Sequence, residues 1–353
     1  MALIVLPKAT SPSRRTILQA GAALMAAPLF LRPRDASAAD PLVMVSWGGA
    51  YQDLIQKVFV TPFTEETKIP MRLVSGPDLA KAKAQVMTGN IEWDLFDGTA
   101  AQITGGENEG LWEPVQAGEF DPADMVIPFR ASSAPFLMFA GGIGYVPGRA
   151  KDGHPKTFAE LWDAKAFPGR RAIRTRISET LEVALIADGV DPKNLYPLDI
   201  ERGFKSLDRI KPHVAKWIEQ TPQTISLLQS NEIDYVYTYN GRVASAKKEG
   251  ADIGFATEQT LILNQYIAVL KGSKRHESAM KFLSFILRPD RQAEYANAYY
   301  SIPVRKSAMS HVSADVKSAI PDLANPRNVI MNDTWWAANF VALDRRFKEW
   351  LAT

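Results

Sequence analysis

The chain has 353 residues, which is long for a single hydrophobic core, so two lobes are expected. Its composition is that of an ordinary globular protein, and it contains no cysteine, which excludes disulfides, thiolate nucleophiles, cysteine zinc sites and a lipid-modified cysteine anchor. Five of the 41 basic residues and one of the 39 acidic residues precede position 39, so the rest of the chain has 36 basic and 38 acidic residues and a net charge of −2. A chain with this charge is not expected to bind nucleic acid.

The first 38 residues have the pattern of an export signal. Two adjacent arginines, Arg14 and Arg15, precede an apolar run over 20–31, and Ala36-Ser37-Ala38 has the small-x-small form of a cleavage site. The run is shorter than the ~20 apolar residues that span a bilayer. The twin arginines predict a Tat-type signal peptide over residues 1–38 and export of the folded protein to the periplasm.

Strands and helices alternate through the next part of the chain. Short apolar runs begin near positions 41, 71 and 93, and each leads through a polar or glycine-bearing turn into an amphipathic run, the first of them interrupted near Pro62. This alternation predicts βα units and a mostly parallel sheet. Ligands of open α/β sheets bind beyond the carboxyl ends of the strands, and Trp47 and Asp97-Gly98-Thr99 are predicted to lie there.

Two later apolar segments predict strands that cross between lobes. They are "APFLMFAGGIGYVP", whose glycines give freedom at a hinge, and "QTLILNQYIAVLKG", which returns to the first lobe. Crossings near 141–146 and 263–270 make the second lobe an insertion in the first, with a cleft between them. We therefore predict lobe 1 over 39–142 and 267–310, lobe 2 over 143–266, and C-terminal helices over 311–353 that pack over the lobes.

No local motif indicates catalysis or a bound cofactor. The chain lacks GxxxxGK[ST], GxGxxG, GxSxG and HExxH, and its four histidines are scattered, so we expect no catalytic residue, no cofactor and no metal. Aromatic side chains instead concentrate near predicted strand ends and crossings. Each one alone also fits core packing, but together their faces attract organic cations, and with Glu179 and Glu182 they suit an amine. The set comprises Trp47, Tyr51, Tyr235, Tyr237, Tyr239, Tyr266, Tyr299 and Tyr300.

Over residues 42–350 the chain resembles the extracellular solute-binding proteins of ABC importers, in the spermidine/putrescine-binding group. The resemblance rests on "SWGGAYQD", "LEVALIADGV", "LYPLDIERGFKSLDRIKP", "YNGRVASA" and "AMKFLSFILRPDRQAEYANAYYSIPV". It implies a type II periplasmic-binding-protein fold, in which two α/β lobes are joined by a hinge and close on a ligand in the cleft between them. It also implies a monomer that delivers its ligand to a permease in the inner membrane.

The resemblance carries ligand-binding roles onto six positions. An aromatic pair follows the first strand, two acids begin the second-lobe helix, a tyrosine stands where polyamine binders have a stacking tryptophan, and a later tyrosine precedes "IP". The returning strand has Leu263 and Gln265 where polyamine binders carry a tryptophan and an aspartate that pairs with an amine. Thr99, at the end of a predicted strand, and Gln265, on the returning strand, complete the candidates, which are Trp47, Tyr51, Thr99, Glu179, Glu182, Tyr239, Gln265 and Tyr300.

The loss of that aspartate leaves the ligand open. A polyamine or related organic amine is the first expectation, but an amide holds a second ammonium group less strongly than a carboxylate does. An opine-like or amino-acid-like zwitterion is the alternative, with Arg174, Arg176 or Arg242 as a partner for its carboxylate. Two further alternatives are a ferric-ion receptor, suggested by Tyr299-Tyr300 and "YVYTY", and a Tat-exported periplasmic enzyme.

Overall fold

A ten-stranded mixed sheet runs through the molecule. The computed structural model describes residues 40–115, 121–149 and 153–353, so the predicted signal peptide lies outside the described residues. The strand order is β2-β1-β3-β9-β4-β7-β5-β6, with β10 paired to β9 and β8 paired to β4. The strands are β1 (Leu42–Ser46), β2 (Met71–Ser75), β3 (Leu95–Thr99), β4 (Ser133–Tyr145), β5 (Arg171–Arg174), β6 (Val214–Ile218), β7 (Tyr235–Tyr239), β8 (Gly254–Phe255), β9 (Leu261–Val269) and β10 (Val329–Ile330).

Helices fill most of the connections between these strands. They are α1 (Gly49–Ile55), α2 (Thr61–Thr67), α3 (Leu79–Thr88), α4 (Ala100–Asn108), α5 (Phe158–Trp162), α6 (Ile177–Ala187), α7 (Ile200–Ile210), α8 (Gln223–Gln229), α9 (Asn240–Lys248), α10 (His276–Ile286), α11 (Pro289–Tyr299), α12 (Ala314–Ala319) and α13 (Asp333–Ala352). Within the described ranges, none of these helices combines the length and the apolarity needed to cross a membrane.

Local sequence explains where several helices begin. The Asp78 side chain accepts hydrogen bonds from the backbone N–H groups of Ala80 and Lys81, which caps α3. Thr99 and Gln102 form a reciprocal capping box at the start of α4. The helix interruption that was expected near Pro62 lies earlier, as a π-helical segment over Gln56–Val60. Pro62 itself is in the first turn of α2, where the backbone N–H that proline lacks would have no partner within the helix.

Strands β4 and β9 belong to both halves of the sheet. Residues 133–141 of β4 pair with β9, whereas 141–145 pair with β7. Gly141, where the partner changes, has no room for a side chain, because an added Cβ would lie 1.9 Å from the Tyr237 hydroxyl oxygen. Strand β9 in turn pairs with β3 from Gln265 to Val269. These two strands therefore connect the two halves through continuous backbone hydrogen bonding.

Two large apolar cores lie on either side of this connection. One contains side chains of β1, the π-helical segment, β3, α10 and the first half of β4, including Phe59, Phe96 and Phe136. The other contains side chains of α6, α7 and α13, including Leu181 and Trp336. Helix α13 packs against α6 and also against α4, so it contacts both halves of the molecule.

Candidate ligand-binding site

A cavity of about 200 Å³ lies where strand ends from the two halves meet. Its first wall comes from the carboxyl ends of β1 and β3 and from β9, and its second wall comes from the end of β7, the start of α9 and the residue before α6. Ligands of α/β proteins bind at such strand ends. The main polar and aromatic lining residues are Trp47, Tyr51, Thr99, Arg176, Thr221, Tyr239, Arg242, Gln265, Tyr295, Tyr299 and Ser301.

Five of the eight candidate residues line this cavity. Trp47, Tyr51, Thr99 and Gln265 come from the first wall, and Tyr239 comes from the second. The side chain of Trp47 is 42% exposed, which leaves an aromatic face open to the cleft. The remaining three candidates, Glu179, Glu182 and Tyr300, do not line it.

Tyr300 faces away from the cavity, which corrects its assignment. It follows the last residue of α11 with a left-handed backbone (φ 55°), and this turn directs the ring away from the cavity. Its hydroxyl donates to Asp315 at 3.1 Å, and the Lys248 ammonium lies 4.7 Å from the ring centre. Tyr299, one residue earlier, lines the cavity instead. The sequence pattern "YY" gave no means of choosing between the two.

Glu182 also lies outside the cavity and is fully buried behind it. Its carboxylate accepts hydrogen bonds from the Tyr196 hydroxyl at 2.5 Å, from the Trp336 indole N–H and from the Glu179 backbone N–H at 2.9 Å. Burial raises the pKa of Glu182 to about 7, although the hydrogen bonds from Tyr196 and Trp336 oppose the shift. Glu182 therefore joins α6 to α13 rather than contacting a ligand in the cavity.

Glu179 lines an adjoining cavity and is already engaged by protein groups. Its carboxylate accepts hydrogen bonds from the hydroxyls of Tyr237 (3.0 Å) and Tyr239 (3.1 Å), and one oxygen lies 3.7 Å from the Arg176 guanidinium. Its backbone is left-handed (φ 76°), an unusual conformation for a glutamate that costs about 1–3 kcal/mol. Glu179 thus orients Tyr239 and Arg176.

Arg176 and Arg242 give the cavity its positive charge. Burial lowers the pKa of Arg176, but the neighbouring Glu179, Tyr239 and Tyr237 raise it by more, so the guanidinium stays charged. Among the described residues Arg242 has no hydrogen-bond or ion-pair partner, and it lies in the first turn of α9, whose N-terminus no side chain caps. Arg174 is buried and donates to the Tyr239 hydroxyl at 2.7 Å, so it supports the wall from behind.

Asp97 lies fully buried beneath the first wall; the sequence placed it at a strand end, but it was not among the eight candidate residues. It accepts hydrogen bonds from the Ser46 hydroxyl at 2.8 Å, the Tyr51 hydroxyl at 3.1 Å and the Gln265 amide at 2.6 Å. Burial raises the pKa of Asp97 to about 7 against the effect of these donors. Its position in "DGT", at the end of a strand beside Thr99, was the available signal.

The described part of the chain contains no group of three or more His, Asp or Glu side chains that could hold a metal ion. The tyrosine pair that suggested ferric iron is also divided. Tyr299 lines the cavity, whereas the Tyr300 hydroxyl is bonded to Asp315 on the far side.

Comparison with known proteins identifies the family to which the chain belongs. The profile of the bacterial extracellular solute-binding proteins matches residues 59–322. The chain is 30% identical to the gamma-aminobutyric acid-binding protein of Pseudomonas aeruginosa over 88% of this chain and 91% of that one. It is 26% identical to the spermidine/putrescine-binding periplasmic protein of Escherichia coli K12 over 59% of this chain and 61% of that one.

A solved structure of a GABA receptor superimposes with a TM-score of 0.82, at 27% identity, over 88% of this chain and 97% of that one. The predicted type II fold with two α/β lobes and the resemblance to ABC-importer receptors are therefore confirmed. The family and these relatives are substrate-binding proteins rather than enzymes. The chain belongs to the bacterial extracellular solute-binding proteins, the receptors that capture solutes for ABC importers.

Proposed function

We propose that this receptor binds a small zwitterion with one carboxylate and one ammonium group, an ω-amino acid of the γ-aminobutyrate type, and delivers it to an ABC permease. The observation that carries the proposal is Arg242, a guanidinium without a partner among the described residues on the wall of a small cavity. An unpaired cation inside a cleft is most readily explained by an anionic group of the ligand.

The second wall suits a carboxylate. Arg242 occupies the first turn of α9, where the helix dipole disfavours a cation and favours an anion. Arg176 lies on the same wall, with 41% of its side chain exposed. Guanidinium groups bind carboxylates through two parallel hydrogen bonds, which also fix the ligand's orientation.

The first wall suits an ammonium group. The aromatic rings of Trp47 and Tyr51 offer faces that attract cations. Gln265 lines the cavity and donates its amide N–H₂ to Asp97, which leaves its carbonyl oxygen as an acceptor for a ligand. The Asp97 carboxylate behind it adds negative potential without entering the cavity.

A polyamine fits these walls less well, because its second ammonium group would lie beside Arg176 and Arg242. The relatives support the same choice. The γ-aminobutyrate-binding relative matches more of the chain at higher identity than the E. coli spermidine/putrescine-binding protein does. A polyamine nevertheless remains an outcome of the test.

The test is calorimetric titration of the protein with γ-aminobutyrate, 5-aminovalerate, putrescine and spermidine. We expect γ-aminobutyrate or 5-aminovalerate to bind most tightly, and Arg242→Gln to weaken that binding at least tenfold through loss of a charged partner. Arg72→Gln, at an exposed position on β2, is the matched control and should bind as the parent does. Tighter binding of putrescine, or unchanged affinity in Arg242→Gln, would overturn the proposal. Mass spectrometry of the recovered ligand should show it unaltered, whereas turnover would indicate an enzyme.

We also infer periplasmic export through the Tat route, supported by Arg14-Arg15 and by the extracellular family. Replacing both arginines by lysine should move the protein from the periplasmic to the cytoplasmic fraction. Unchanged export of that variant would contradict the Tat assignment.

A further inference from the structure

A second cavity, of about 550 Å³, adjoins the first and shares part of its wall. The remaining walls come mainly from α4, from the first nine residues of α13, and from residues of α6 and β9. The two cavities are neighbours, because five residues line both. The residues that line both are Trp47, Thr99, Phe139, Arg176 and Gln265.

The second cavity lies beside a gap in the sheet. On one side of β9, pairing with β10 ends at Ile262 and pairing with β3 begins at Gln265. Between them, Leu263 and Asn264 pair only with β4 among the described strands, and both line the cavity. Because no described strand pairs with this side of β9 at the gap, Leu263 and Asn264 are in contact with the cavity.

Asn264 places an unused acceptor at this gap. Its side-chain amide donates to Asp333 at 3.2 Å, but its side-chain carbonyl oxygen is buried and has no hydrogen-bond partner in the described structure. The residue is only 8% exposed. A buried oxygen without a donor is rare in native proteins and calls for a specific explanation.

The surroundings of Asn264 define what would satisfy it. Asp333, the first residue of α13, also lines the cavity; its Oδ2 accepts the Asn264 amide, and its second carboxylate oxygen is a further acceptor. Trp336 and Phe340, farther along α13, add aromatic surface. The combination suits a short apolar chain that ends in a hydrogen-bond donor.

We propose that this cavity is a second subsite of the same ligand, and that it takes a tail bearing a hydroxyl or ammonium donor while the zwitterionic head occupies the first cavity. The proposal rests on the function proposed above, because the head must bind beside Arg242. The tail continues past the shared wall at Gln265, which is the ammonium end of the head. The natural ligand is then an N-substituted amino acid rather than a simple one.

The experiment compares γ-aminobutyrate with three derivatives of nearly equal tail size: N-propyl, N-(2-hydroxyethyl) and N-(2-aminoethyl). Calorimetric titration should show that at least one donor-bearing tail binds fivefold or more tightly than the propyl tail. Preference for hydroxyethyl would identify a neutral donor that pairs with Asn264, and preference for aminoethyl a cation that pairs with Asp333; either result supports the subsite.

Two variants locate the effect. Asn264→Leu should abolish the preference for hydroxyethyl over propyl. Ala337→Leu, at a partly buried position on α13 that lines only the second cavity, should weaken all three derivatives yet leave γ-aminobutyrate within twofold. If γ-aminobutyrate binds but no donor tail is preferred to propyl, the subsite is overturned and the proposed function stands. If neither γ-aminobutyrate nor any derivative binds, the proposed function fails and the subsite with it.

Discussion

At the scale of single residues, the buried carboxylate of Asp97 makes the charge beneath the first wall depend on pH. Its folded-state pKa of about 7 means that it is half protonated near neutrality. An ammonium group beside Gln265 favours the ionised carboxylate, so binding releases a proton. Affinity should therefore rise with pH through 7 and level off above it.

We expect γ-aminobutyrate to bind at least threefold more tightly at pH 8 than at pH 6, measured by calorimetry. Asp97→Asn should weaken binding and remove most of this dependence. Tyr51→Phe keeps the carboxylate and removes one of its donors, so it should retain the dependence. A pH-independent parent protein would contradict an ammonium group near Asp97.

Sequence reasoning placed residues at the cavity where a strand end fixes the side chain. Trp47, Thr99 and Tyr239 directly follow or end strands, and all three line the cavity. It did not do so where a local turn decides the direction of the side chain, as at Tyr300, or where a carboxylate is buried behind the wall, as at Glu182. Neither a left-handed turn after a helix nor the depth of a helix face can be derived from residue types alone.

At the scale of elements, α6 and α13 are joined through the buried carboxylate of Glu182. Its pKa is raised in the folded protein from 4.5 to about 7. The protonated form is therefore the favoured one in the folded state, and the stability it contributes is complete below pH 4.5 and is lost as pH rises through 7. The corresponding loss is about 3 kcal/mol.

We expect Glu182→Gln to reduce the difference in unfolding free energy between pH 5 and pH 8, measured by urea denaturation. Asp97 keeps part of the dependence in that variant, since its pKa is also raised. Glu201→Gln, which removes an exposed partner of Arg346, should leave the difference unchanged. An undiminished difference in Glu182→Gln would show that Glu182 is ionised throughout this range.

At the scale of the molecule, the sequence predicted two lobes and two crossing strands but not a single sheet. The apolar runs over 133–145 and 261–269 were visible as strands. The pairing of these two strands with each other could not be predicted, because a long-range antiparallel register produces no periodic pattern in the sequence of either strand. The prediction of a mostly parallel sheet was accordingly incomplete, since β9 runs antiparallel to both β3 and β4.

The first cavity has walls from both halves of the molecule, so ligand binding there favours closure of the cleft. Trp47 and Gln265 lie on one wall and Arg176 and Arg242 on the other, so a zwitterion in contact with both walls stabilises the arrangement in which they approach. Small-angle scattering should show a radius of gyration of roughly 20 Å that falls by about 1 Å when γ-aminobutyrate is added. Arg242→Gln at the same ligand concentration should show no decrease. An equal decrease in that variant would mean that closure does not depend on the carboxylate contact.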